Sequence, residues 1–109
     1  MATGRLGTAN ITTTANTTIY TVPSSTFAVV SVNICNRNST TAATIRVAVS
    51  SSASPNPDEW IEYDTSLVAS GVVERTGLVL AANQQVVVQI SSATPTISVV
   101  AMGIETSTA

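Results

Sequence analysis

The sequence predicts an all-β protein, and two features of the chain lead to this prediction. Short runs in which apolar and polar residues alternate recur along the chain, and a period of two is that of a half-buried strand. Connections rich in Pro, Asn, Ser and Gly separate these runs, and no stretch shows a sustained helical period between caps. We therefore expect an antiparallel β-sandwich, of the jelly-roll or immunoglobulin-like type, with about seven or eight short strands.

The length and composition fit one compact domain with an aliphatic core. The chain has 109 residues, of which 44% are hydrophobic but only 4% are aromatic. The core must therefore consist of Val, Ile, Leu and Ala, and the β-branched residues among these favour strands. We expect a single sandwich domain over residues 9–105, preceded by an N-terminal arm over residues 1–8, where Gly4 and Gly7 flank Leu6.

The clearest alternation lies in two runs, residues 27–35 and 44–50, on either side of a polar connection. Apolar residues take every second position in both runs: Val30, Val32 and Ile34 in the first, and Ile45, Val47 and Val49 in the second. The side chains of Asn, Ser and Thr in the connection can satisfy the backbone of a turn. We therefore predict that the two runs form an antiparallel pair with one face in the core.

Shorter runs predict the remaining strands. They lie at residues 9–14 (an edge strand), 17–22, 59–64, 72–75, 85–90 and 96–104, and residues 78–80 form a further short apolar run. Residues 50–58, with two prolines and no periodicity, are predicted to form a surface loop. The run at 96–104 is apolar on both faces, so we expect it to be central in the sandwich or to contact another subunit.

The composition excludes several classes of function. The chain has no histidine and no lysine, so the usual general base, metal ligand and Schiff-base former are absent. No serine has a plausible activating partner, and Cys35 is interpreted as a small buried hydrophobic residue. We predict that the protein is not an enzyme and uses no cofactor or metal. Four arginines and a net charge of -2 also argue against nucleic-acid and anionic-membrane partners.

Residues 59–64 are the one stretch of the sequence in which aromatic and acidic residues occur together. The acids Asp58, Glu59, Glu62 and Asp64 could bind calcium or form a glycosidase pair, and strict alternation would place Glu62 and Asp64 on one face, but no calcium-loop motif is present. Trp60 and Tyr63 could form a platform for sugar rings. The same alternation puts them on opposite sides, so we interpret the stretch as a solvated or partner-facing edge in which Trp60 is a core or interface anchor.

The N-terminus lacks the features of a signal peptide, and no run approaches the ~20 apolar residues of a membrane helix. A single cysteine has no partner for a disulfide within the chain. Both observations favour synthesis and folding in a reducing cytoplasm.

Several short motifs follow one another along nearly the whole chain. They are Gly-Arg-Leu-Gly-Thr-Ala-Asn (4–10), Asn-Thr-Thr-Ile-Tyr-Thr-Val-Pro (16–23), Ser-Val-Asn-Ile-Cys-Asn-Arg (31–37), Trp-Ile-Glu-Tyr-Asp (60–64), Glu-Arg-Thr-Gly-Leu-Val-Leu (74–80) and Gly-Ile-Glu (103–105). Their order resembles that of small virion structural proteins of tailed bacteriophages, notably phages of cyanobacteria and other marine bacteria. That family has no catalytic or ligand-binding residues to transfer.

The resemblance implies a particle component that is assembled in the host cytoplasm and located in the virion. We expect a head decoration (cement) protein, a homotrimer that bridges major capsid proteins and so stabilises the expanded head. The residues expected at its interfaces are Arg5, Leu6, Trp60, Tyr63, Val100 and Met102. Two alternatives remain open: a tail, neck or fibre component, and a carbohydrate-binding module built around Trp60 and Tyr63.

Overall fold

The computed structural model describes residues 2–91 and 95–108. Within these ranges the chain forms eight strands: β1 (Thr3–Ile11), β2 (Thr17–Thr21), β3 (Thr26–Asn36), β4 (Ala43–Ser50), β5 (Trp60–Leu67), β6 (Val72–Leu80), β7 (Gln85–Ile90) and β8 (Ile97–Ser107). The prediction of an all-β antiparallel sandwich is confirmed. No helix long and apolar enough to cross a bilayer occurs in the described ranges.

The strands form two four-stranded sheets whose members interleave along the chain. Sheet I has the order β1-β8-β3-β6 and sheet II the order β2-β7-β4-β5. Among the described strands, only β4 and β5 are both consecutive and paired. Two interleaved four-stranded sheets of this kind are the arrangement of an eight-stranded jelly roll rather than of an immunoglobulin-like sandwich.

The predicted pairing of the two central runs is wrong. β3 pairs with β6 and β8 in sheet I, whereas β4 pairs with β5 and β7 in sheet II. Both strands direct their alternating apolar residues into the core, where Val32 and Val47 are fully buried and Val49 is partly buried. The polar connection between them therefore crosses from one sheet to the other, because the alternation determines which face is buried and not which strand lies alongside.

The core between the sheets is aliphatic, as predicted. Its fully buried side chains come mainly from the inner faces of β3, β4, β7 and β8: Val30, Val32, Ile34, Ile45, Val47, Val86, Val88, Ile90, Ile97 and Val99. Each such side chain stabilises the fold by about 1.5–3 kcal/mol relative to an exposed one. This burial accounts for a stable sandwich in a chain with a single cysteine.

Tyr20 is the aromatic residue of this core, and it connects the two sheets. It lies in β2 of sheet II, and its hydroxyl donates a 2.5 Å hydrogen bond to Glu105 Oε2 in β8 of sheet I. Burial, and then the bond to the carboxylate, raise the pKa of Tyr20, while the same hydroxyl lowers the pKa of Glu105.

The predicted N-terminal arm over residues 1–8 is also wrong, because Thr3 onwards belongs to the edge strand β1, which pairs with β8. Met1 lies outside the described residues. Gly7 permits a close approach of β1 to β2, since a Cβ there would collide with the Ile19 carbonyl oxygen. Gly4 takes a positive φ of 95° within the strand. The glycines thus shape a strand rather than loosen an arm.

The edge strands differ from the central ones in their regularity. β1, β2, β5 and β6 are the edges, and each carries at least one register shift in which it has an extra residue. The central pairs, β3 with β8 and β4 with β7, run without a shift. β8 is thus central in sheet I, one of the two positions expected for it. Bulges at every edge are a known means of preventing strand pairing between molecules.

Candidate functional site

The outer face of sheet I carries a contiguous set of exposed apolar side chains. Val79, Val29 and Ile104 are direct cross-strand neighbours on β6, β3 and β8, and they are 67%, 42% and 55% exposed. Phe27 and Met102, each 37% exposed, lie beside them on the same face. We call these five residues the apolar patch. Soluble monomers rarely expose large apolar side chains in one group unless the group contacts a partner.

Three of the predicted interface residues lie on this face. Met102 belongs to the apolar patch, exposed Arg5 is its cross-strand neighbour on β1, and half-buried Val100 is the next outward residue of β8. Leu6 is the extra residue of the bulge in β1 and packs against the core. Sequence reasoning missed Phe27, Val29, Val79 and Ile104 as members of a surface.

The outer face of sheet II is covered instead of open. Ala48 and Val87 are cross-strand neighbours on its outward side, yet both are fully buried. The connection from β4 to β5, residues 51–59, crosses this face, and the Asn16 side-chain amide at the start of β2 donates to the Ala53 carbonyl at 3.1 Å. This connection is the predicted surface loop, and we call it the covering loop.

Glu59 fixes the shape of the covering loop. Its Oε1 accepts hydrogen bonds from the Asn56 backbone N–H at 2.7 Å and the Ser50 hydroxyl at 2.9 Å. Its own backbone N–H donates to the Asn56 carbonyl at 3.0 Å. The bond from the Asn56 backbone, and then that from Ser50, lower the pKa of the Glu59 carboxyl. The loop is therefore held in one arrangement by bonds at both of its ends.

The structure brings Trp60 and Tyr63 together, contrary to the prediction that they lie on opposite sides. Their ring centroids are 5.8 Å apart, with an interplanar angle of 69°. Two register shifts against β4 put extra residues into β5, and Asp64 at the second has a positive φ of 56°. An extra residue in a strand reverses the alternation beyond it. Edge-to-face contact is a favourable geometry for two aromatic rings.

These two rings and two prolines of the covering loop form a concave site. Pro55, Pro57, Trp60 and Tyr63 line an open cavity of about 340 Å³, which we call the aromatic groove. Tyr63 is 58% exposed. The sequence marked the aromatic pair, but only the path of the loop shows that the prolines join it.

Charged and amide side chains lie against one side of the groove. The Arg46 guanidinium carbon is 4.1 Å from the centroid of the Tyr63 ring. Its Nε donates to Asp64 Oδ1 at 2.6 Å, and its Nη1 donates to Gln89 Oε1 at 3.2 Å. The bond with Arg46 lowers the pKa of Asp64 and raises that of Arg46. Arg46 thus holds a planar, hydrogen-bonded array beside the exposed tyrosine.

The possible calcium or glycosidase pair is not formed. Asp64 binds Arg46, whereas Glu62 Oε2 lies 3.0 Å from Nη1 of Arg75 on β6, so that its ion pair connects the two sheets. Over residues 2–91 and 95–108, no three His, Cys, Asp or Glu side chains are grouped so that they could hold a metal ion.

Cys35 is half-buried on the outer face of sheet I, next to Val72 of β6, and not buried in the core as predicted. Its neighbours Ile34 and Asn36 are the inward residues of β3. The alternation of that strand therefore directs the thiol outward.

The fold and its two surfaces define the class of the chain as an eight-stranded jelly roll with an open apolar patch on one sheet and an aromatic groove on the other. Comparison of the chain with models of protein families, with curated proteins and with solved structures finds no significant match.

Proposed function

We propose that this chain is a structural protein of a bacteriophage virion, a decoration (cement) protein that binds major capsid proteins through its apolar patch. The patch is the observation that carries the proposal, and the resemblance to small virion proteins supports it. Jelly rolls occur in viral capsid proteins and in lectins, so the fold agrees with the proposal without deciding it.

A flat sheet face suits this contact better than a sheet edge. Every edge strand has a bulge, which hinders the addition of a strand from a neighbour. The apolar patch lies on β3, β6 and β8, whose inner faces pack in the core. Burial of such a surface releases about 25 cal/mol per Å² of apolar area. With 9% charged residues, the chain also has few charges to desolvate.

The decoration protein would stabilise the expanded head because its binding surface on the capsid proteins exists only in that state. A protein that binds only the assembled, expanded shell shifts the equilibrium toward that state by mass action. Copies that assemble as a homotrimer engage several capsid proteins at once, so that modest individual contacts combine into strong attachment. No chemistry is required of the chain.

The test compares two valines with matched exposure. Val79 of the apolar patch is 67% exposed, and Val68, in the connection before β6, is 65% exposed. Purified wild type is mixed with expanded and unexpanded heads, lacking this chain, of a phage that encodes it. We expect binding to expanded heads only. V79D should weaken it at least about tenfold, or 1.4 kcal/mol, by placing a charge in the interface, and V68D should leave it unchanged.

Two results would contradict the proposal. Equal binding by V79D and wild type would show that the patch is not the contact. A copy number of only a few chains per virion, measured by quantitative mass spectrometry, would favour the tail, neck or fibre alternative.

A further inference from the structure

The aromatic groove lies on the sheet opposite to the apolar patch, so a role in capsid binding does not explain it. We propose that the groove binds a neutral saccharide, through ring contacts with Trp60 and Tyr63 and hydroxyl contacts with the Arg46–Asp64 pair. This inference is independent of the proposed function.

The apolar wall of the groove is concave. The rings of Trp60 and Tyr63 meet at 69°, and the two prolines complete a concave surface around a volume of about 340 Å³. This volume is near the lower end of the range for ligand sites, about 300–1,000 Å³, so the groove fits one or two small rings. The C–H faces of sugar rings provide the apolar surface that aromatic side chains contact.

Hydrogen-bonding groups lie beside this apolar wall. The indole N–H of Trp60 is a hydrogen-bond donor, and the side chain of Asp64 is an acceptor that remains 47% exposed. The guanidinium of Arg46 is held in position by both Asp64 and Gln89. Hydroxyl groups both donate and accept hydrogen bonds, so neighbouring hydroxyls of a sugar can match such a mixed array.

The charged side chains near the groove favour a neutral ligand. Asp58 and Glu59 lie in the chain between Pro57 and Trp60, and Asp64 follows Tyr63, so three acidic residues adjoin lining residues of the groove, while Arg46 is the cation over the Tyr63 ring. An acidic sugar would face this excess of negative charge. A cationic ligand would compete with Arg46, which already occupies a face of the Tyr63 ring.

The groups beside the groove favour a sugar over a proline-rich peptide, the other kind of ligand that aromatic grooves bind. Proline residues have no N–H, so an extended proline-rich segment offers mainly carbonyl acceptors. The carboxylate of Asp64, which is 47% exposed, is itself an acceptor and can take further donors. Sugar hydroxyls supply those donors. The bonds of the covering loop to Asn16 and Glu59 keep the groove formed before binding, which reduces the entropic cost of association.

The experiment uses the single tryptophan of the chain, because its fluorescence reports only on the groove. The probes are the neutral sugars cellotetraose, mannotetraose, chitotetraose and lactose, with sialyllactose and a proline-rich peptide as contrasting ligands. Each is titrated to about 10 mM, sufficient to detect a Kd near 1 mM. We expect a saturable change in emission with at least one neutral sugar, confirmed by calorimetry.

Two variants test the location of the site. Y63A, at a residue that is 58% exposed, should weaken binding at least about tenfold without unfolding the chain. F27A removes an exposed aromatic residue from the opposite sheet and should leave sugar binding within about twofold of wild type. Calorimetry gives the affinity of both variants, and thermal unfolding confirms that both are folded.

Four outcomes would overturn the inference. They are no saturable response to any neutral sugar of the panel, a response only to sialyllactose, a response only to the peptide, and wild-type affinity in Y63A. The failure of this inference is distinguishable from that of the proposed function, since V79D should lose capsid binding and retain sugar binding.

Discussion

The outer faces of the two sheets begin from the same pattern and end as different surfaces. Both sheets bury one set of alternating residues in a shared core, and both have apolar residues on the outward side. On sheet I, Val29, Val79 and Ile104 stay exposed. On sheet II, Ala48 and Val87 are fully buried because the covering loop crosses them.

The difference arises from one connection. The β4–β5 connection folds back across its own sheet and is anchored at Asn16 and through Glu59. It converts a flat apolar face into a concave one with prolines and polar groups at its margin. A flat face suits another protein surface and a concave one suits a small ligand, so the two faces support different kinds of contact.

The largest expected effect comes from a change beneath the apolar patch. In G103A, the new Cβ would collide with the Val29 carbonyl oxygen and force β3 and β8 apart. We expect a loss of about 2–4 kcal/mol in the free energy of unfolding, measured by urea denaturation. G77A is the control: its surroundings are open, and only its φ of 70° is unfavourable, so it should lose about 1 kcal/mol. Equal losses would contradict the assigned close approach.

The next change breaks the bond that connects the two sheets. Y20F removes the hydroxyl that donates to Glu105 and leaves the buried ring in place. We expect a loss of about 1–2 kcal/mol in urea denaturation, since the acceptor is charged but partly solvated. Y63F, which removes an exposed hydroxyl, should change stability by less than about 0.5 kcal/mol. An unchanged free energy of unfolding in Y20F would show that the bond contributes nothing to joining the sheets.

A smaller effect is expected when the covering loop is released. N16A removes the donor to the Ala53 carbonyl, so residues 51–58 should exchange their amide hydrogens faster and the emission of Trp60 should shift. The cost in global stability should be about 0.5–1 kcal/mol. N33A, on the outer face of sheet I, should leave the loop unchanged. Unaltered exchange in N16A would mean that other contacts hold the loop.

The smallest effect is in the dependence of stability on pH. The pKa of Glu59 is lowered in the folded chain, so its contribution is full above its ordinary value of 4.5 and is lost as the pH falls through the folded value. As the pH falls below about 4.5, wild type should therefore lose stability more steeply than E59Q. The pKa values of Asp64 and Glu105 are also lowered in the folded chain, so these two carboxyls leave a residual pH dependence of stability in E59Q. Parallel curves from urea titrations would contradict this assignment.

The sequence predicted the strands better than their partners. The alternation in β3, β4 and β7 identified the buried faces, because a period of two directly reports burial on one side. It could not show that β3 and β4 face each other across the core, since both arrangements bury the same residues. Gly4 and Gly7 indicated a loose arm because their roles, a positive φ and a close approach, depend on other strands.

The surfaces were predicted only in part for a related reason. Met102 was identified because the last strand is apolar on both faces, whereas Val29 and Val79 became a surface only through their register. Trp60 and Tyr63 were assigned to opposite sides because the bulges of β5 interrupt the alternation. Asp64 is the only local sign of such a bulge, as Asp is among the residues that tolerate a positive φ.

The bulged edge strands affect how copies of the protein behave when they are packed closely together. In the proposed decoration role, identical copies would lie within contact distance of one another for long periods, the situation in which exposed strands tend to join into fibrils. Here each of the four outermost strands is locally out of step. Crowded neighbours therefore find no continuous template to extend, and the protein can be packed closely while each copy keeps its own fold.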